Sequence, residues 1–428
     1  MTDRIRIPDQ RTVMAVACLI GLAALVVQRM WSAFPPDLSA LYMAGWLYAQ
    51  GNFDLIYAAP PGFFGASPPQ WQGFLPGLGL QGQDVLPYVY PPFWAALLSP
   101  AAALDPATFF RAAAVAQMAM LAASVALAWR LARGFAVPIW GWILISIALI
   151  ATSFIAYIAI AQLQPQITVT FLTLLAFDRY GAGKSATAGT ILAVAAALKL
   201  APAALALIFL LDRDRRAACA FAVAGAALAG ASLAFAGPQL HWDFLASMKA
   251  ASAGLYITAV TYSSEVMLQA AASLTGLAPP MDFAQRNIRI DDTGLVVAAL
   301  NKFLLLAALV WMLRRTDGLA PDRRLPVRLF ALWLLISLFG PLGWIHYYLL
   351  QLLLLPMLIG LLRRPHGVAA LVSIAVLTSW PLFAALRALT PGDLPPALLG
   401  VATMTALFVL VVRPARGMHR ARPSPLPA

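Results

Sequence analysis

Between Arg11 and Arg413 one apolar run follows another, interrupted by short charge clusters and by two longer segments rich in polar and aromatic residues. A helix needs about 20 apolar residues to cross a hydrocarbon layer of about 30 Å, and lipid offers no partner to an unpaired backbone group. This pattern excludes a soluble globular domain and predicts an all-α polytopic membrane protein. Composition agrees: the 428 residues are 62% hydrophobic and 11% charged, with mean hydropathy +0.81, a balance foreign to soluble domains.

The runs place membrane-crossing helices near 12–30, 107–129, 137–157, 163–178, 186–198, 200–211, 217–236, 295–313, 326–340, 346–362, 368–388 and 397–412, about 12 in all. The pair spanning 186–211 is too short for two full crossings and predicts a broken or tilted hairpin with Lys199 and Pro202 near its turn. The first run follows Arg4, Arg6 and Arg11 but is too long for a signal peptide, ends in Arg29 and lacks a small-residue cleavage site, so it reads as a retained helix. With the N-terminus cytoplasmic, 21 of the 29 Lys and Arg fall on the cytoplasmic side, and the opposite orientation would invert that bias.

Both termini are then cytoplasmic, and 413–428 is a basic cytoplasmic tail. The net charge of +12 is thereby a topology signal; it forms no continuous basic face for nucleic acid. Cys18 and Cys219 lie inside apolar runs and read as buried small side chains, which indicates neither a disulfide nor a metal site. The chain reads as a single integral membrane domain, 1–428, with two long outer loops, 31–106 and 237–294. Both hold amphipathic, aromatic-rich stretches, and function is to be sought there. In the first loop a helix is expected after Pro35-Pro36, and a re-entrant or juxtamembrane helix opened by Pro91 and Pro92.

Asp37 follows the first span by a few residues, which holds its carboxylate at the outer membrane surface. Either it caps a helix starting at Leu38 or it works on a lipid-phosphate substrate; the two roles are compatible. His346 stands beside Trp344, Tyr347 and Tyr348 at the outer start of a span, as an aromatic-belt neighbour or as a phosphate contact and proton relay. Lys199 is an amine in an apolar stretch, costly unless it has a task or snorkels to the interface. Arg111 and the glutamines Gln162, Gln164 and Gln166 are polar candidates at the same outer level. Glu265, the sole glutamate, is the reserve base. Asp54, Asp84, Asp243, Asp282, Asp291 and Asp292 sit in neighbourhoods that read as solvated turns. No phosphate-binding loop, zinc motif, nucleophile elbow or dinucleotide fingerprint is present.

Taken in order, an Asp after the first helix, Tyr90-Pro91-Pro92, the AQLQPQ turn, the segment from Gly189 to Pro202 and the PLGWIHYY segment resemble glycosyltransferase family 87. These are polyprenol-phosphate-mannose-dependent mannosyltransferases of the glycosyltransferase-C superfamily, and the resemblance spans most of residues 12 to 365. Ala161-Gln162 stands where the family has Gly-Gln, and His346-Tyr347 where it has two histidines. The resemblance implies a glycosyltransferase-C-like fold, with Asp37 as general base and His346 near the donor phosphate.

A sugar on a lipid phosphate already carries a good leaving group. One carboxylate to take the acceptor proton, and cations to receive the phosphate, then suffice for inverting transfer, whereas the common retaining route needs a second close carboxylate. Lys199 and His346, with Arg111, are the expected cations; Tyr90, Gln162 and Trp344 are expected to line the substrate site. The expected partners are a polyprenyl-phosphate-linked sugar donor, a lipid or glycan acceptor and membrane lipids, with no nucleic acid, cofactor or metal. The expected location is a bacterial inner membrane, with the active site facing the periplasm or exterior. A transporter or flippase for a lipid-linked substrate is the main alternative and an assembly subunit a third; Asp37→Asn separates them.

Overall fold

Prolines and capping side chains set the helix boundaries. In the computed structural model, which describes residues 9–60 and 63–413, α1 (Gln10–Met30) opens where the Asp9 carboxylate accepts the Thr12 N–H at 2.7 Å. The cluster at Arg4 and Arg6 and the basic tail beyond Arg413 lie outside the described residues. Pro36 starts α2 (Pro36–Ala49) and Pro92 starts α3 (Pro92–Leu98); a proline at the first helical position loses no needed N–H. Asp37 is therefore not the cap of a helix beginning at Leu38. It stands inside the first turn, behind Pro35.

The chain packs as two units, one comprising residues up to Arg130 together with Val137–Ala253, the other Leu131–Ala136 and the chain from Gly254 onward. The first unit continues with α4 (Pro106–Leu131), α5 (Ile139–Thr152), α6 (Phe154–Ala161), α7 (Gln166–Gly181), α8 (Ser185–Leu198), α9 (Leu207–Leu211) and α10 (Arg215–Ser252). Helix α8 packs along α7 and α10, and α2 along α3. The segment 31–106 is folded: Trp71, Tyr42, Leu47 and Tyr88 are buried in one apolar cluster with α2 and α3. Helix α10 kinks at Gly237 (φ 72°) before Pro238, where a positive φ suits glycine. The segment 237–294 thus begins with a helical arm.

The second unit holds β1 (Leu255–Ile257), α11 (Ser264–Leu274), β2 (Ile288–Ile290), α12 (Gly294–Thr316), α13 (Pro321–Phe339), α14 (Leu349–Leu354), α15 (Leu358–Leu361), α16 (Arg364–Leu377), α17 (Trp380–Leu389) and α18 (Leu394–Val412). Its two strands pair antiparallel, Leu255 opposite Ile290. Helix α13 is its buried centre, packed against α12 and α18.

Among the described residues, five helices are long and apolar enough to cross a membrane unaided: α1, α4, α10, α12 and α18. Helices α6 and α7, meeting at 113°, add a sixth span if the bent pair counts as one. Of the other expected crossings, that at 326–340 falls on the single 19-residue helix α13, whose first turns carry charged side chains, and the rest are built from shorter pieces. The run at 346–362 is interrupted by 3-10 turns, and that at 368–388 breaks between α16 and α17 at Thr378–Ser379. Cys18 and Cys219 are exposed on their helices, which corrects the expectation that they are buried; a span's outward face is as apolar as its packed one.

Candidate functional site

Four segments far apart in sequence bring their polar groups to the start of α2. The first is the helix end itself. Its Leu38 N–H donates to the Gln162 carbonyl at 3.3 Å, and the positive end of the α2 dipole favours an anion at Asp37.

The second is the turn between α6 and α7. Ser153 caps α6, and the chain reverses through Leu163, whose φ of 42° is unusual for a residue with a side chain. Its carbonyl is fixed by the Gln117 amide at 3.0 Å. Beyond the reversal the buried Gln164 donates through Nε2 to the Asp37 carboxylate, and Gln166 accepts from Lys199 Nζ at 3.0 Å. Gln162, expected among the substrate contacts, serves here through its backbone. The side chains that reach the carboxylate and the amine are its neighbours, Gln164 and Gln166.

The third segment is Tyr90-Pro91-Pro92. The Tyr90 hydroxyl donates to Gln164 Oε1 at 3.3 Å, and two residues into α3 the Trp94 Nε1 donates to the Leu198 carbonyl at 2.7 Å, fixing the end of α8. The fourth is that end. Lys199 leaves the helix in extended conformation (φ −155°, ψ 125°) before a 3-10 stretch, Ala201–Ala206, with Pro202 in its first turn. The break expected at Lys199 and Pro202 is there, and it turns the amine toward Gln166.

The Asp37 carboxylate is enclosed by these groups although the residue keeps some surface. Burial pushes its pKa up to about 6, against the opposing pulls of the Gln164 hydrogen bond and then the Lys199 charge. Burial that outweighs the favourable contacts is what lifts a carboxylate into the range of a general base working near neutrality. Among the described residues no three His, Cys, Asp or Glu side chains gather as a metal-holding group.

Arg111 reaches the end of α1, where its Nε donates to the Trp31 carbonyl at 3.1 Å and its guanidinium lies 5.3 Å from the Trp31 ring centre. Trp46 packs on Phe74 inside the first-loop core. His346, Trp344 and Glu265 belong to the second unit. There, Trp344 bridges to Thr261 while Tyr262 N–H donates to the Gly343 carbonyl at 2.7 Å. The turn before it holds Leu342 at φ 74° and Gly343 at φ 49°, and a Cβ on Gly343 would lie 2.8 Å from Ser263, so only glycine fits. His346 is buried, edge-on to Tyr347. Glu265 is half-buried and accepts from Asn301 at 3.1 Å; burial raises its pKa, opposed by Asn301 and Lys302.

A helical membrane protein that keeps a buried carboxylate, its pKa raised to about 6, beside an amine at the head of a helix has the parts of a membrane-bound transferase. Residues 88–339 match the model of glycosyltransferase family 87, and the chain belongs to that family. It is also 31% identical over 328 residues, 73% of this chain and 69% of the relative, to the polyprenol-phosphate-mannose-dependent alpha-(1-2)-phosphatidylinositol mannoside mannosyltransferase of Mycobacterium tuberculosis. No solved structure matches the chain.

Proposed function

We propose that this glycosyltransferase moves a mannose-like sugar, with inversion, from a polyprenyl-phosphate donor to a glycolipid or polysaccharide acceptor. The proposed setting is the extracytoplasmic face of a bacterial inner membrane, in a glycosyltransferase-C-like fold of about 12 crossings with both termini inside. The observation that carries the reading is Asp37, held by Gln164 with the Lys199 charge close enough to lower its pKa. The lipid-linked donor named for the mycobacterial relative supports it.

In this mechanism the acceptor oxygen attacks the anomeric carbon while Asp37 takes its proton. The bond from that carbon to the phosphate oxygen breaks, and its electron pair leaves with the polyprenyl phosphate. Lys199, positioned by Gln166, meets the charge that develops on the leaving oxygen, where partial dehydration strengthens the interaction. Tyr90 acts by orienting Gln164. His346 is assigned to the donor phosphate or to a proton relay by family resemblance; Arg111 for its charge, Trp344 for its aromatic face and Gln162 for its polar side chain remain substrate-contact proposals.

The test is transfer of radiolabelled mannose from polyprenyl-phosphate mannose to membrane lipid extract by the purified protein. Wild type should transfer, and Asp37→Asn should lose transfer while still retaining the donor. Transfer that survives the substitution would move the base elsewhere, with Glu265→Gln next; no transfer from any polyprenyl-phosphate sugar by wild type would overturn the proposal.

A further inference from the structure

Asp54 and Asp243, which read from sequence as solvated turns, face a common cleft. It measures about 780 Å³ and lies between the first outer loop and the helical arm that follows the α10 kink, entirely within the first unit. Tyr57 and Tyr88 form part of its wall, their ring centres 5.3 Å apart, and Phe244 backs Tyr57 at 5.9 Å. Gln239 also lines it and donates to one oxygen of Asp243 at 2.9 Å. A carboxylate has about four acceptor directions, so Asp243 retains capacity for a ligand.

Three properties select the occupant. Aromatic walls with a few carboxylate and amide groups suit a ring that is apolar on its C–H faces and carries hydroxyls on its edge, as a sugar does. No Lys or Arg is among the lining residues, so two carboxylates make the cleft unfit for a phosphate. The cleft wall is also tied to the Asp37 site by hydrogen bonds. Tyr88 and Val89 line it, the Tyr57 hydroxyl donates to the Tyr90 carbonyl at 2.6 Å, and the Tyr90 hydroxyl donates to the same Gln164 that holds Asp37. At its other side the cleft reaches Gly51, past the far end of α2. Fourteen residues at 1.5 Å each make that helix about 20 Å long, too far for one ring to fill the cleft and present its hydroxyl to Asp37.

We propose that the cleft bounded by Asp54, Tyr57, Tyr88, Gln239 and Asp243 binds the uncharged saccharide of the acceptor beyond the ring that attacks, so that the acceptor carries more than one sugar. The inference rests on Asp37 being the base; the anionic donor is excluded from this cleft.

The full-length protein in detergent is titrated with an α-linked mannotriose and with methyl mannoside, binding being followed by saturation-transfer NMR. The same two acceptors are then used in transfer assays with polyprenyl-phosphate mannose. Wild type and Asp37→Asn should bind the trisaccharide alike and more tightly than the monosaccharide. The double variant Asp54→Asn/Asp243→Asn should raise the trisaccharide Kd and acceptor KM about tenfold or more, the loss expected for charge-assisted hydrogen bonds, with the donor KM and the monosaccharide reaction unchanged. Ala246→Trp, which fills the cleft from the exposed face of its helical arm, should do the same without touching a carboxylate. Equal binding of the two sugars to wild type, or trisaccharide affinity unaltered in both variants, would overturn the cleft assignment. Transfer by Asp37→Asn would overturn the base instead, and the binding titration would still decide the cleft.

Discussion

Helix α7 has a carboxylate near each end, and the two are treated differently. At one end the buried Asp178 is met by two guanidinium groups, with Arg130 Nε at 2.8 Å and Arg179 Nε at 2.9 Å. At the other, the glutamines flanking Pro165 divide their contacts, Gln164 to Asp37 and Gln166 to Lys199. A carboxylate tied to two arginines in charge-assisted hydrogen bonds does structural service. One held by an amide, with an amine at one remove, keeps a pKa of about 6 and can take a proton and give it up. The contrast teaches that the function of a buried acid here is set by what is withheld from it as much as by what touches it.

The largest effect that can break this comparison is on rate. Asp37→Asn should lower transfer by about 10²- to 10⁴-fold, the usual contribution of a positioned general base, whereas Asp178→Asn should leave the turnover of correctly folded protein within a few-fold of wild type. Radiolabel transfer per folded molecule measures both. Equal losses at the two sites would mean that Asp37, too, is structural.

Stability should move the opposite way. The Asp37 pKa rises from an ordinary 3.8 to about 6, so between those values the folded protein binds more protons than the unfolded chain, and stability falls as pH rises through the window. Above pH 6 the full penalty stands, at most about 3 kcal/mol for a shift of about two units, and less because the residue keeps some surface and is partly hydrated. Asp37→Asn should therefore raise the melting temperature at pH 7.5 and leave it unchanged below pH 4. Asp178→Asn leaves two guanidinium groups short of a partner; with Arg130 partly exposed, a loss of about 1–3 kcal/mol is expected, seen as a lower melting temperature at pH 7.5.

How much of this could be read beforehand depends on whether a contact is local. Asp37 stood out because a short tether from α1 fixes its height, and the Lys199 break because lysine and proline interrupt an Ala-rich run. The glutamine that reaches the base did not stand out. Gln162, Gln164 and Gln166 are equivalent by spacing, and only the left-handed Leu163 decides which side chain turns toward α2. Asp54 and Asp243 look like ordinary turn acids because their cleft joins segments some 190 residues apart. The crossings that break into short helices were hidden for another reason: hydropathy over a window reports composition, and the breaks at Thr378–Ser379 and around Pro356 barely change it.

The smallest expected effect sharpens the comparison most. Lys199 lies close enough to Asp37 for its charge to lower the carboxylate pKa, yet its hydrogen bond is to Gln166. Lys199→Gln removes that charge while keeping an amide of similar reach. If the base must be ionised, the rate rises with pH through its pKa, so wild type should show an ascending limb near pH 6. In Lys199→Gln the limb should move to higher pH, because the amine charge no longer favours the anion. The donor KM should rise as well if the amine also meets the phosphate, while the trisaccharide affinity stays put. A raised donor KM with an unmoved limb would make Lys199 a phosphate contact electrically separate from the base; a moved limb with unchanged donor KM would make it a tuner of Asp37 alone. Only both together support one amine serving base and leaving group in turn.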